Sequence, residues 1–118
     1  MFMEKYIEID YGLIDLTFNK DMVCCVRANR YWDHFLTHLE TRDTLRKICI
    51  EFAKYFREEK IVYLPDHFGL DYVFSDMDLN NILESLESRL GKDAPSIESI
   101  YKEFDEHVES DGYYIERL

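Results

Sequence analysis

His34 and His38 stand four residues apart in Asp33-His34-Phe35-Leu36-Thr37-His38, the spacing that brings two imidazoles to one helix face in zinc-binding H-E-x-x-H segments. That chemistry also needs a catalytic glutamate and a third ligand. Position 35 is Phe and no third ligand stands out nearby, so the pair reads as a partly buried helical pair and no metal is assigned. Asp76-x-Asp78-x-Asn80, with Glu84 and Glu87 at the ninth and twelfth places, imitates the oxygen ligands of a calcium loop. The sixth place, where a sharp turn needs glycine, holds Asn81, and the stretch overlaps an amphipathic helix. An acidic helix start is the reading, and calcium is not expected.

Cys49 lies between Ile48 and Ile50 at an apolar helical position, which suits a buried thiol better than a nucleophile. Cys24 and Cys25 are adjacent, so on a strand they point to opposite faces, and neither has a basic neighbour to lower its pKa. The four glycines form no G-x-S-x-G, phosphate-binding loop or G-x-G-x-x-G pattern. No catalytic residue, cofactor site or metal site is expected, and the chain reads as a binder rather than an enzyme.

Charge is the feature left over. Residues 1–60 hold 11 acidic and 10 basic side chains, whereas residues 61–118 hold 14 and 4, so nearly all of the net charge of −11 sits in the second half. At about 100° per residue, Glu98, Asp105 and Glu109 make one helix stripe, partly neutralised by Lys102, with Glu106 grouped beside it and Asp111 continuing past its end. Asp76, Asn80, Glu84 and Glu87 make a similar stripe on the preceding helix. A solvated face explains such stripes in part, but the imbalance also costs self-repulsion that a basic partner would relieve. Tyr72, Tyr113 and Tyr114 are the candidate aromatic anchors, although alternate tyrosines on a strand also pack inward.

The elements that must carry these residues follow from periodicity. Lys5 to Tyr11 alternates with period two and puts Ile7, Ile9 and Tyr11 on one strand face; a second strand runs through Phe18. Asn19-Lys20-Asp21 is a turn, and Met22 to Val26 is either a third strand or a helix entry. Tyr31, Trp32, Phe35, Leu36 and Leu39, then Leu45, Ile48, Cys49, Phe52 and Phe56, recur at helical spacing, as two helices or one kinked. Ile61 to Leu64 is a buried strand closed by a Pro65-Asp66 turn. Ser75, with Asp78 three residues on, starts the clearest helix, with Leu79, Ile82, Leu83, Leu86 and Leu90 inward and Gly91 as a left-handed stop. Pro95-Ser96 starts a last helix, with Ile97, Ile100, Tyr101, Phe104 and Val108 inward, before a strand from Tyr113 to Arg117. The expected fold is a single α+β domain over residues 1–118: a small mixed or antiparallel sheet with about four helices packed on it in one layer.

Composition bounds the class. With 47% apolar and 15% aromatic residues the chain has enough to bury for one core. No apolar run reaches the ~20 residues of a membrane span, and Met1-Phe2-Met3-Glu4 lacks a signal core. Three cysteines without C-x-x-C spacing fit a reducing compartment, so the cytoplasm is expected. The negative charge argues against nucleic-acid or membrane partners and for a basic protein.

Ile61-Val62-Tyr63-Leu64-Pro65-Asp66, the amphipathic helix to Gly91, Ala94-Pro95-Ser96-Ile97 and Gly112-Tyr113-Tyr114-Ile115 together resemble the small acidic immunity proteins of bacterial toxin–immunity systems, in particular those of contact-dependent growth inhibition. The resemblance covers roughly the C-terminal half. It implies one-to-one binding to a cognate toxin domain, often a basic nuclease, with the toxin's active site plugged or covered. Acidic side chains would then stand where the toxin's Lys and Arg hold substrate phosphates. An acidic interaction module, or a nucleic-acid mimic without a dedicated toxin, is the alternative that the same charge supports.

Overall fold

A computed structural model describes residues 6–11, 14–28, 30–101 and 110–118. Its strands are β1 (Tyr6–Tyr11), β2 (Ile14–Asn19), β3 (Val23–Val26), β4 (Lys60–Pro65) and β5 (Tyr114–Arg117); its helices are α1 (Arg30–Thr37), α2 (Leu39–Phe56), α3 (Asp66–Val73) and α4 (Leu79–Leu90). The fold is α+β, with the five strands in one mixed sheet whose order follows the sequence. β1, β2 and β3 pair antiparallel, β3 and β4 parallel, and β4 and β5 antiparallel.

The apolar pattern of each strand decides its place. β1 alternates, which suits an edge; β3 and β4 are near-continuous apolar runs, buried at every residue but Lys60, which is what strands covered on both faces require. The helices accordingly lie on both faces, not in the single layer expected from the sequence. Ile14, Leu16, Phe18, Cys24, Ile61 and Tyr63 pack against Trp32, Phe35, Leu45 and Cys49 of α1 and α2. Val23, Cys25, Val62, Leu64 and Ile115 pack against Tyr72 and Val73 of α3 and Ile82 and Leu86 of α4. Cys24 and Cys25 thus enter opposite cores, as strand geometry demands.

Residues 22–26, readable from sequence as strand or helix entry, form β3. The turn before it is built by Asn19, whose Oδ1 accepts the N–H groups of Asp21 and Val23 at 3.0 and 3.1 Å while Met22 takes φ 58°. Its Nδ2 donates to the Tyr72 and Val73 carbonyls, both at 3.4 Å, which ties the turn to the end of α3.

Four expectations need correction. Asp66 opens α3 rather than closing a turn: Pro65 supplies the extended N-cap, and the Asp66 carboxylate in the first turn accepts the Ala28 N–H at 2.7 Å. Leu39, expected inward, is 58% exposed because the chain leaves helical geometry at His38 and α2 restarts out of phase; Arg42 turns inward instead. Gly91 ends α4 at φ 81°, ψ −158°, a positive φ but not the left-handed helical value. After Pro95 the chain makes only a short 3₁₀ turn, Glu98–Ile100, and Tyr101 is already extended and 40% exposed. The three-residue repeat of that turn puts Ile97 and Ile100 into the core together. Phe104 and Val108, assigned inward on the last helix, lie outside the described residues. Among the described residues no helix is long and apolar enough to cross a membrane.

Candidate protein-interaction surface

The acidic residues singled out from sequence do not share one surface. Glu84 and Glu87 are exposed on α4, and Asp76 is exposed in the loop before that helix rather than on it. Glu98 stands against the opposite core, where its Oε1 lies 2.5 Å from Arg42 Nη2. Arg42 is buried; Nη1 donates to the Leu36 carbonyl at 3.0 Å and Nε has no hydrogen-bond partner. Glu98 therefore neutralises a buried cation as well as facing solvent. Asp111 Oδ1 lies 2.9 Å from His67 Nε2 of α3. Asp105, Glu106 and Glu109 lie outside the described residues.

Of the candidate aromatic anchors, Tyr72 and Tyr113 pack inward, the other outcome that the sequence allowed. Tyr72 and Tyr113 are 5% and 3% exposed. Tyr72 packs in the α3/α4 core beneath the Arg89 guanidinium, and Tyr113 donates its hydroxyl to the Gly91 carbonyl at 2.9 Å. Each aromatic body gains more from apolar burial than from water, with its polar end satisfied or at the surface. Tyr114 is half-buried against the other core.

The hairpin builds a different site. In the β1/β2 register Asp10 stands opposite Asp15 and Glu8 opposite Thr17, so three carboxylates share the face toward α3. With Arg27, Asp66, Leu70 and Phe74 they border a hollow of about 200 Å³. Arg27 Nη1 approaches Asp15 Oδ2 at 3.4 Å. The Asp15 carboxyl is held above its ordinary range, by its hydrogen bond with Asp10, then by burial and the nearby negative charges, with Arg27 opposing. Leu70, Phe74 and Met77 are 36%, 51% and 37% exposed; the first two border the hollow beside these acids and Met77 lines the neighbouring cleft. Tyr6 of β1 meets Phe74 edge to face at 4.8 Å. Beyond that pair a larger cleft of about 630 Å³ is lined by Tyr6, Phe56 and Met77 together with Asp21, Asp76 and Asp78.

Sequence reasoning missed this surface because the first sixty residues are nearly neutral in total. On α2 the bases Arg42, Arg46, Lys47 and Lys54 are largely matched by Glu40, Asp43 and Glu51, whereas the hairpin strands carry Glu8, Asp10 and Asp15 with no base, a local excess that the total hides. The one available signal was the polar phase of β1, which places Glu8 and Asp10 on a common face.

Groups with reactive potential are disposed for structure. The thiols of Cys24, Cys25 and Cys49 are all buried, and burial pushes the first two up in pKa, Cys24 also through its contact with Cys49. His34 and His38 stack at 3.6 Å, but His38 is exposed between α1 and α2 rather than on a shared helix face. Burial and the neighbouring His38 lower the His34 pKa. Among the described residues no group of three or more His, Cys, Asp or Glu side chains could hold a metal ion. No protein-family model, no curated protein and no solved structure matches this chain.

Proposed function

We propose that this chain is a binding domain that neutralises one basic protein partner, and specifically an immunity protein that covers the active site of a cognate toxin domain in the cytoplasm. The observation that carries the reading is the exposed Leu70 and Phe74 beside the carboxylates of Glu8, Asp10 and Asp15, with exposed Met77 in the adjoining cleft. A desolvated apolar centre with a charged rim is the anatomy of a protein interface, and the sign of the rim selects a basic partner. A toxin that holds substrate phosphates with Lys and Arg supplies such a surface, and steering by the −11 net charge speeds the encounter. Binding is one to one, with no nucleic acid, membrane or cofactor involved. The site so proposed lies on the hairpin and α3, with Asp76, Glu84 and Glu87 on the neighbouring loop and α4.

The test is capture of partners on the tagged full chain from its native cells, washed in low and then high salt, followed by expression of the captured partner alone. One basic polypeptide held at unit stoichiometry through high salt, and toxic unless this chain is co-expressed, supports the reading. Many basic proteins, all lost in salt, would replace it with an acidic interaction module or nucleic-acid mimic.

A further inference from the structure

β1 is the outermost strand of the sheet, and among the described residues no strand pairs with its outer edge. Such an edge presents a row of N–H and C=O groups that another extended chain can complete. Its six residues, Tyr-Ile-Glu-Ile-Asp-Tyr, contain no proline and no glycine to interrupt pairing. We propose that this edge receives an extended segment of the partner whose side chains alternate basic and apolar, an inference that rests on the binding function proposed above.

The pattern of the segment follows from strand parity. Residues opposite one another in a sheet share a face, whichever way the strands run. Glu8 and Asp10 face the α3 side, with Asp15 one strand further in on the same face. Ile7 and Ile9 face the other side, where both pack against the α1/α2 core. An added strand therefore meets carboxylates at alternate positions and apolar side chains at the positions between. Among the described residues no Lys or Arg forms an ion pair with Glu8 or Asp10, and the one guanidinium at this hollow, Arg27, approaches Asp15 instead. Phe74, half-exposed at the same hollow, offers an aromatic face to a Lys or Arg at the end of the row.

A second copy of this chain is the wrong occupant. Pairing two β1 edges sets positions 6, 8 and 10 against positions 6, 8 and 10, and so places carboxylates opposite or beside carboxylates. Asp10 and Asp15 already stand opposite each other on this face, so a second copy would add carboxylates to carboxylates.

The experiment uses the full chain with a short fluorescent synthetic peptide of alternating lysine and valine, and a control of equal composition with its lysines and valines in separate blocks. Anisotropy titrations should show the alternating peptide binding at least ~10-fold more tightly than the block peptide. Hydrogen exchange should slow at the β1 amides when the alternating peptide is bound. The double variant Glu8→Lys, Asp10→Lys, with its fold checked by circular dichroism, should lose that preference. Equal binding of the two peptides, or unchanged exchange in β1 at saturating peptide, overturns the proposal, and the exchange readout on the unaltered chain decides it even if the double variant misfolds. A captured partner that leaves β1 exchange unchanged would likewise retire the edge while leaving the binding function intact.

Discussion

Arg42 Nη2 lies 2.5 Å from Glu98 Oε1, although the Arg42 side chain is 3% exposed and that of Glu98 is 59%. The cation is the partner that has given up water, so the pair matters more to Arg42 than to Glu98. Glu98→Ala should destabilise the chain by about 2 kcal/mol, because it strips a charged hydrogen bond from a buried guanidinium whose Nε is already unsatisfied. The Glu98 carboxyl is held below its usual pKa, first by its own backbone N–H and then by Arg42, with burial opposing. A pKa that is lower folded than unfolded gives stability above about pH 4.5, lost as pH falls through the folded value. Urea titrations of both chains at pH 7 and near pH 3 should therefore differ at the first and converge toward the second.

Gly69 sits in α3 where a Cβ would lie 2.6 Å from Cys25 Sγ and 2.8 Å from Leu64 Cγ and Cδ1. Gly69→Ala should destabilise by about 1–3 kcal/mol, because overpacking against β3 and β4 outweighs the ~1 kcal/mol gained in helix propensity. A shift of the urea midpoint to higher concentration would show that α3 can lift from the sheet without loss.

Asp10 and Asp15 face each other across the hairpin, and Asp15 carries the raised pKa. A carboxyl that holds its proton more tightly when folded costs stability above the ordinary aspartate range and recovers it as pH falls. Asp10→Asn should accordingly stabilise the chain by about 0.5 kcal/mol at pH 7, with the gain fading below about pH 4. Thermal melts across that range measure it directly.

Phe74 is 51% exposed and touches Tyr6 at its edge. Phe74→Ala should weaken binding of the captured partner by roughly 10- to 100-fold, as loss of an interface anchor does. Its effect on stability should stay near ~1 kcal/mol, since half the ring is already in water. A variant that binds undiminished in a surface-immobilised assay would move the interface elsewhere.

The parts of the fold that periodicity reveals were legible. β1, β4 and α4 stand almost where alternation and apolar spacing put them, but α4 is capped by Asp78, which accepts the Asn81 N–H at 2.9 Å, and not by Ser75, whose hydroxyl accepts the Met77 N–H in the loop before it. α3 was hidden by Gly69, a poor helix former that is required there by close packing on Cys25 and Leu64, a contact no local pattern announces. The short turn at Glu98–Ile100 was overread because Ile97 and Ile100 fit helical and 3₁₀ spacing equally well. The phase of β1 pairs Glu8 with Asp10, but Asp15 joins them only through the hairpin register and Leu70 and Phe74 only through α3, so the assembled surface was out of reach of composition.

A strand order identical to the chain order means that no strand has to be threaded between two that already stand. As the chain emerges during synthesis, β2 can dock on β1, β3 on β2, β4 on β3 after the α1–α2 crossover, and β5 last, each on the newest free side. Every later strand grows the sheet away from β1. The outer side of β1 is therefore the side of that strand on which none of the later strands is laid.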